Sequence, residues 1–186
     1  MPVILCQPED MTRDVFTEIV IRQASTADVD AIASIYAEHV GSGTASFDTV
    51  PRSAAETERK IAEITSKGWP FLVAAHGADV VGYAYVTLFR DRTAYGFTCE
   101  DSIYVRGDQA GNGIGSLLMA ALIDASTQFG FRQMMAVIGG GEPASVALHA
   151  KCGFVHAGRL RNVGRKFGRA LDTVYMQCDL TGQEID

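Results

Sequence analysis

The sequence predicts an α+β domain in which helices cover both faces of a central, mostly antiparallel mixed sheet. Segments of alternating or β-branched residues, such as 19–23 and 80–88, have the period of strands. Other stretches, such as 29–40, repeat their apolar residues every three or four positions, as helices do. A glycine-rich turn at 106–115 joins one strand directly to one helix. This mixture of hairpins and strand-to-helix connections favours a layered α/β/α arrangement.

Length and composition limit the class of protein. The 186 residues suffice for one domain with one hydrophobic core, which we assign to residues 18–182 after an N-terminal extension of uncertain order at 1–17. A formal net charge of −6 and the lack of a basic cluster argue against a nucleic-acid partner. The four cysteines have no metal-like spacing, and we find neither a targeting segment nor a membrane span. We therefore expect a metal-free cytoplasmic protein that does not bind membranes.

The first half of the domain is expected to begin with one strand and two helices. Strand 19–23 leads to capping residues at 25–28 and then to a helix that ends near 41–43. Residues 44–51 are loop-like, and a second helix is expected from Ser53 to Lys67. The residues of this second helix that we expect to face the core are Ala55, Ile61 and Ile64.

A hairpin and the strand before the glycine-rich turn follow. The hairpin strands are expected at 71–75 and 80–88, with a turn at 77–79. The polar segment 89–96 has no period and is expected to be a loop. The next strand is expected at 99–105, immediately before the turn.

The last part of the chain is expected to hold two helices and three strands. After the turn, a helix presents a single apolar face that consists of Leu117, Leu118, Ala121, Leu122, Ala125 and Phe129. A strand at 134–138 and a short helix from Pro143 to Lys151 come next. Strands at 155–160 and 172–180 then end the domain, and we expect a basic loop, 161–169, between them.

The glycine-rich turn has the chemistry of an anion site. The first N–H groups of a helix lack intrahelical partners and lie at the positive end of its dipole. Glycines at 111, 113 and 115 remove the Cβ atoms that would keep a phosphate from these amides. The lysine of a P-loop is missing, and the spacing does not match a dinucleotide fingerprint. A tight turn without a ligand is the alternative.

This turn resembles the acetyl-CoA pyrophosphate loop of the GNAT superfamily of N-acetyltransferases, whose pattern is Arg/Gln-x-x-Gly-x-Gly/Ala. The matching stretch is Ala110-Gly111-Asn112-Gly113-Ile114-Gly115, and Leu148-His149-Ala150-Lys151-Cys152-Gly153-Phe154 is a second similarity. The resemblance covers about residues 19 to 180 and implies the GNAT fold, with a β-bulge that splays the strand before the loop at the acetyl-CoA site. It also implies acetyl-CoA as co-substrate. The implied cofactor contacts are Ile103, Tyr104, Val105, Gly111, Asn112, Gly113, Ile114, Gly115, Ser116 and Glu142.

Two positions depart from the family pattern. Ala110 stands where relatives have arginine or glutamine, and Gln109 lies one place early. Since the family holds its cofactor largely by backbone amides, we expect the loop to work with one side-chain contact missing or moved. Glu142 stands where relatives have an asparagine that touches the pantetheine arm.

Two further segments narrow the resemblance to the phosphinothricin and methionine sulfoximine acetyltransferases. These segments are Tyr95–Val105 and Val163–Asp172. Within this group, Leu171 favours the methionine sulfoximine/sulfone branch, because the phosphinothricin branch has a histidine at this position. The resemblance implies a small amine substrate and a homodimer, in which Lys166, Phe167 and Arg169 could reach the second subunit's site. The apolar content of Val174, Tyr175 and Met176 also favours a homodimer.

Glu100 is the expected general base. Acyl transfer to an amine needs a group that takes the amine proton, and Glu100 lies in a half-apolar strand where burial would raise its pKa. The resemblance places it at the family's catalytic glutamate, whereas a surface charge at a strand edge is the alternative. Asp101 is the next residue of the same strand, so it points to the other face of the sheet.

For the remaining candidate site residues, a structural role is as plausible as a functional one. By resemblance, His149 stands where many GNAT enzymes have a tyrosine proposed to protonate the leaving thiolate, although a lone histidine on a short helix is often structural. Arg90 and Arg92 could clamp a substrate carboxylate or phosphinate, or they could be solvated. Phe47 matches an aromatic residue of the family's substrate pocket or belongs to the core. The expected substrate contacts are Phe47, Arg90, Arg92, Asp101 and Ser102.

The sequence thus indicates an acetyl-CoA-dependent N-acetyltransferase that acts on the α-amine of a small amino-acid-like molecule by direct transfer. Two alternatives stay open. A non-catalytic acyl-CoA-binding domain would explain the altered Ala110 and Glu142, but not the presence of Glu100. A GNAT enzyme for a polyamine, an aminoglycoside or a protein N-terminus would need an acidic pocket, whereas Arg90 and Arg92 favour an anion.

Overall fold

A computed structural model describes residues 19–182 of the chain, so the predicted extension at 1–17 lies outside the described residues. The described part contains seven strands and four α-helices. The strands are β1 Ile19–Gln23, β2 Phe71–His76, β3 Asp79–Leu88, β4 Thr98–Val105, β5 Gln133–Gly139, β6 Val155–Lys166 and β7 Arg169–Asp179. The helices are α1 Val29–Ser42, α2 Ala54–Ser66, α3 Ile114–Phe129 and α4 Pro143–Lys151.

The strands form one sheet with the order β1-β2-β3-β4-β5-β7-β6. Every neighbouring pair is antiparallel except β4 and β5, which are parallel. One apolar cluster lies between the sheet and α3 with α4, and another lies between the opposite face and α1 with α2. The predicted α+β class, with a mostly antiparallel mixed sheet between helices, is confirmed.

β4 separates from β5 partway along its length. The two strands pair only at Thr98, Cys99 and Glu100, and the rest of β4 pairs with β3 alone. No register shift interrupts the ladder between β3 and β4, so the expected bulge is absent from that ladder and the splay comes from the divergence of β5. Because successive residues of a strand direct their backbone N–H and C=O groups to alternate sides, every second residue of 101–105 directs these groups into the opening.

α2 begins at the capping box that the sequence contains. The Ser53 side chain accepts from the Glu56 backbone N–H, and the Ser53 backbone N–H donates to the Glu56 carboxylate at 2.8 Å. One predicted inward residue was wrong, because Ala55 is exposed and Thr57 is buried in its place. Thr57 lies one helical turn before Ile61, which the sequence placed correctly.

The buried face of α3 is rotated relative to the predicted one. Leu118 and Leu122 are fully buried as expected, whereas Leu117 is 38% exposed and Phe129 is 46% exposed. The other buried residues of the helix are Ile114, Met119 and Ser126. The helix therefore points its first residue, Ile114, into the core directly after the glycine-rich turn.

The predicted basic loop between the last two strands was wrong. Residues 161–166 extend β6 and 169–171 extend β7, so the turn consists of Phe167 and Gly168. The ladder is irregular between Leu160 and Gly164, where Asn162 has a φ of 57° and donates its backbone N–H to Asp172 Oδ1 at 2.9 Å. Because β6 is an edge strand and almost wholly exposed, its sequence has no apolar alternation that marks a strand.

Candidate active site

The divergence of β4 from β5 opens a cleft with two adjoining cavities. The larger, about 730 Å³, faces the glycine-rich turn, and the smaller, about 300 Å³, is bordered by Tyr36 of α1 and by β4. Four residues line both cavities: Ala45, Ile103, Tyr104 and Ser145. Two molecules bound in the two cavities would therefore meet at these four residues.

The glycine-rich turn has the conformation that an anion site needs. Gly113 is the N-cap of α3 with a φ of 78°, and Gly111 has a φ of 82°. Residues other than glycine rarely adopt such positive φ angles, so the turn requires glycine at both positions. A Cβ at Gly115 would lie 3.1 Å from the Leu148 side chain. The third glycine therefore also lets α3 approach α4.

Most of the residues predicted to contact acetyl-CoA line the larger cavity. They are Ile103, Tyr104, Val105, Gly111, Gly113, Ile114, Gly115, Ser116 and Glu142. Asn112 does not line it; this residue is exposed, and its side-chain amide lies 3.4 Å from Gln109 Oε1. Gln109 and Ala110 do line the cavity. Glu142 is the N-cap of α4 and accepts a hydrogen bond from Thr44 Oγ1 at 3.4 Å.

Both predicted catalytic residues and three predicted substrate residues line the smaller cavity. They are Glu100, His149, Phe47, Asp101 and Ser102. The sequence did not assign site roles to four other lining residues, which are Tyr36, Asp48, Arg52 and Tyr85. All four lie in segments without a recognisable catalytic or binding motif. Only the fold could have revealed them.

Arg90 and Arg92 lie near the cleft but not in it. Both are exposed on the loop between β3 and β4, and neither lines one of the two cavities. The Arg90 guanidinium lies 4.1 Å from the centre of the Phe89 ring and donates to the Phe89 carbonyl at 3.0 Å. The predicted clamp of two arginines is therefore not assembled in the cavity of the described chain.

Glu100 is partly buried at the last position where β4 pairs with β5. Burial, followed by the nearby charge of Asp101, raises the pKa of Glu100 to about 7, against the opposing charges of Arg90 and Lys60. The half-apolar sequence of the strand predicted this direction. A carboxylate with this pKa can take up a proton near neutral pH.

Asp101 lies on the opposite face of β4 and forms a buried pair with His149. Their side chains are 2% and 3% exposed, and His149 Nε2 lies 3.1 Å from Asp101 Oδ2. His149 Nδ1 lies 2.7 Å from the carbonyl oxygen of Ser145, which can only accept, so Nδ1 bears a hydrogen. Nε2 and Asp101 therefore share one further proton. Burial lowers the pKa of His149, but the hydrogen bond and charge of Asp101 outweigh it, and the pKa is raised overall.

This pair limits what His149 can do. Both of its ring nitrogens contact protein oxygens, and the ring packs edge-on against Phe154 at 4.9 Å between centroids. Asp101 Oδ1 is buried and has no hydrogen-bond partner within residues 19–182. The sequence did not predict the pair, because a strand residue and a distant helix residue meet only in the folded chain.

Lys166 anchors the loop that covers the smaller cavity. It is 4% exposed, and its Nζ donates to the Ser46 carbonyl at 2.9 Å. Burial lowers the pKa of this lysine. A Cβ at Gly164 would overlap the Phe47 ring, so glycine allows Phe47 to pack on β6. Lys166 thus supports the site of its own chain.

The described residues were also compared with the requirements of a metal site and of a membrane-spanning helix. Within residues 19–182, no group of three or more His, Cys, Asp or Glu side chains is arranged to hold a metal ion. In the same range no helix combines the length and the apolar character that a membrane crossing requires.

The splayed sheet, the glycine-rich turn and the two-part cleft define the class of this protein as an acetyltransferase of the GNAT type. A family model described as an acetyltransferase (GNAT) domain matches residues 21–175. The chain belongs to the GNAT acetyltransferase family, and it is an N-acetyltransferase.

Similar proteins have related activities. A phosphinothricin N-acetyltransferase of Alcaligenes faecalis is 46% identical over 86% of this chain and 82% of that protein. An L-methionine sulfoximine/L-methionine sulfone acetyltransferase of Pseudomonas aeruginosa is 39% identical over 86% of this chain and 94% of that protein. A crystal structure of a phosphinothricin acetyltransferase from Sinorhizobium meliloti, in complex with acetyl-CoA, has a TM-score of 0.85 and 44% identity over 87% of this chain and 88% of that one.

Proposed function

We propose that this enzyme transfers the acetyl group of acetyl-CoA to the α-amine of a small amino-acid-like substrate, of the methionine sulfoximine, methionine sulfone or phosphinothricin type. The names of the relatives at 46% and 39% identity support this substrate class. The observation that carries the proposal is Glu100, which has a pKa of about 7 and lies in the wall of the cleft. Transfer is direct, with no covalent enzyme intermediate, and Glu100 is the general base.

The larger cavity fits acetyl-CoA. The first intrahelical bond of α3 runs from the Ser116 N–H to the Gly113 carbonyl at 3.0 Å, so the amides of Ile114 and Gly115 precede it. These amides and the helix dipole suit the pyrophosphate. The solved relative from Sinorhizobium meliloti contains acetyl-CoA, which supports the same co-substrate here. When bound, acetyl-CoA supplies the thioester that the amine attacks.

The position of Glu100 suits removal of the amine proton. An amine in the smaller cavity lies beside Glu100 and, across the four shared residues, adjoins the larger cavity. Glu100 is deprotonated above pH 7 and can then accept the proton that the amine must lose. Outward-facing backbone N–H groups in the splayed part of β4 are the proposed donors to the developing oxyanion.

His149 is the proposed source of a proton for the leaving thiolate. Ser145 lines both cavities, and its carbonyl contacts Nδ1 of His149. Since the proton on the Nε2 side is shared with Asp101, we expect His149 to contribute less than Glu100. A thiolate of ordinary thiol pKa can also leave without full protonation.

We also propose a cytoplasmic location. Cys99, Cys152 and Cys178 are free thiols in the described chain, as in a reducing compartment.

The proposal is tested by Glu100→Gln, which keeps the shape of the side chain and removes its basicity. We expect turnover with L-methionine sulfone to fall by roughly 10²–10⁴-fold, the usual worth of a positioned base. Acetyl-CoA affinity should not change, because Glu100 does not line the larger cavity. The wild-type rate should rise with pH through about 7, and the variant should lack this limb. Steady-state kinetics and calorimetry measure these quantities.

Glu58→Gln is the matched control, since Glu58 is an exposed carboxylate on α2. It should leave the rate and its pH dependence unaltered. A Glu100→Gln enzyme with wild-type turnover would show that the base lies elsewhere.

A further inference from the structure

The smaller cavity contains a cation without a counter-ion. Arg52 is only partly exposed and lines the cavity, yet it forms no ion pair with a carboxylate within residues 19–182. A guanidinium has five N–H donors, and the hydrogen-bond partners of Arg52 among the described residues are two tyrosine hydroxyls, that of Tyr85, 3.5 Å from Nη2, and that of Tyr36. Most of its donor capacity is therefore available to a ligand.

Aromatic rings fix the position of this guanidinium. Arg52 directly precedes Ser53, the N-cap of α2, and its Cζ lies 3.9 Å from the centre of the Tyr36 ring. Tyr36 in turn donates its hydroxyl to Asp48, so the stacking surface is itself held in place. A stacked arginine presents its planar fork without losing much further freedom on binding. Arg52 is thus preorganised for a planar anion.

The other charged groups of the cavity complement this cation. Asp48 already accepts from Tyr36, and Asp101 already pairs with His149. Glu100 has neither an ion pair nor a hydrogen bond from a side chain within the described residues. Among the described residues, the cavity therefore contains one cation that forms no ion pair, Arg52, and one carboxylate that accepts no side-chain hydrogen bond, Glu100, and a zwitterion complements both.

We propose that Arg52 binds the α-carboxylate of the substrate and so selects α-amino acids from other amines. This assignment rests on the proposed function. With the carboxylate on Arg52, the α-amine of the same molecule is directed toward Glu100, and the remaining side chain extends to the Phe47 side of the cavity. Arg90 and Arg92 line neither cavity and are not needed for this contact.

The test compares Arg52→Gln with wild type on two substrates, L-methionine sulfone and its α-carboxamide. The amide keeps the amine and the side chain but removes the negative charge. We expect wild type to prefer the acid, and we expect Arg52→Gln to raise KM for the acid by about 10- to 100-fold, as for the loss of a charged hydrogen-bonded pair. The variant should show little change with the amide and none in KM for acetyl-CoA. Arg52→Lys should restore part of the preference.

Arg59→Gln is the control, because Arg59 is an exposed arginine on α2, the helix that begins directly after Arg52 and Ser53. It should retain the full preference for the acid. Phosphinothricin is a third test substrate, because its phosphinate is a second anionic group besides the α-carboxylate. If Arg52→Gln impaired phosphinothricin but not methionine sulfone, the guanidinium would bind the phosphinate and the α-carboxylate assignment would fall.

Two other outcomes distinguish a wrong Arg52 assignment from a wrong proposed function. If wild type acetylates amino acids and Arg52→Gln keeps the wild-type ratio of acid to amide, the Arg52 assignment is wrong while the proposed function stands. If wild type acetylates polyamines and no amino acid, both are wrong.

Discussion

At the scale of single residues, Glu100 is the clearest case in which the proposed catalytic role opposes stability. Burial raises its pKa from 4.5 to about 7, which means that the fold disfavours its charged form. The folded chain keeps the proton up to about pH 7, whereas the unfolded chain releases it near pH 4.5. The favourable contribution of the protonated group is complete below pH 4.5 and is lost as the pH rises through 7.

Glu100→Gln should therefore stabilise the protein at alkaline pH. At pH 8.5 we expect a gain of about 1–3 kcal/mol, because the neutral amide avoids the cost of a partly buried charge. For a chain of this size the gain corresponds to a rise in Tm of roughly 2–12 °C. The difference should vanish near pH 4.5, where wild type is protonated as well. Thermal unfolding at the two pH values measures it, and an equal Tm difference at both would contradict the assignment of the raised pKa to Glu100.

Some features of the cleft could be predicted from the sequence, and others could not. The raised pKa of Glu100 was predictable because it follows from its own half-apolar strand, and the glycine-rich turn was predictable because a turn before a helix is a local feature. Arg52 and the pairing of Asp101 with His149 were not, since each depends on elements that are distant in sequence and adjacent only in the fold. Arg90 and Arg92 were chosen for their charge and their loop, but neither property determines which way a loop turns.

At the scale of elements, α3 is a helix with a left-handed glycine at each end. Gly113 at its start has a φ of 78° and lines the larger cavity, whereas Gly130 at its end has a φ of 109° and lines neither cavity. The two positions have similar conformational demands and different surroundings. They therefore separate the cost of backbone strain from the cost of lost cofactor binding.

Gly113→Val should abolish most acetyl-CoA binding, and Gly130→Val should not. Each substitution should lower stability by roughly 1–3 kcal/mol, because a β-branched residue is strained at positive φ. Only Gly113→Val also places a side chain between the amides of the turn and the pyrophosphate. Ala110→Arg is expected to change affinity far less than Gly113→Val. Calorimetry at a temperature where both glycine variants are folded would refute the phosphate-site assignment if Gly113→Val bound acetyl-CoA normally.

Helices and strands were predicted well where local signals or a clear apolar pattern marked them, and poorly elsewhere. α4 has the predicted bounds, because Pro143 and Gly153 mark a helix start and end locally. The extent of β6 was missed, because a strand that contacts the core along little of its length has no apolar period. The rotated face of α3 has a related cause, since the helix is apolar over much of its circumference and its periodicity alone does not determine the buried side.

At the scale of the whole molecule, two of the three apolar residues first taken as evidence of a dimer, Val174 and Met176, belong to the chain's own core. Val174 and Met176 are 5% and 3% exposed and pack within the cluster between the sheet and α3. They do not argue for a partner. The edge strand β6 does, because its apolar side chains lie in solvent in the isolated chain: Val155 at 48%, Leu160 at 48% and Val163 at 54% exposure, next to the turn residue Phe167 at 53%.

A long edge strand with exposed apolar side chains is open to pairing and is usually covered in native proteins. A second copy of the chain, seated on the same edge, would cover it with the symmetry that homodimers have. β1, the opposite edge, has five residues, and its exposed apolar residue Val20 stands alone, so the two edges are not equivalent.

We therefore predict a homodimer whose interface includes β6. Light scattering at micromolar concentration should give a mass near twice the 20.0 kDa of the chain. The double substitution Leu160→Lys and Val163→Lys should convert it to a monomer, because four lysines would meet across the two-fold axis and burying them without partners is costly. Val20→Lys is the control at the other edge, where the exposure of 57% is similar, and it should leave the dimer intact. A wild-type mass of 20.0 kDa would refute the dimer, and a dimer that survives the double substitution would place the interface away from β6.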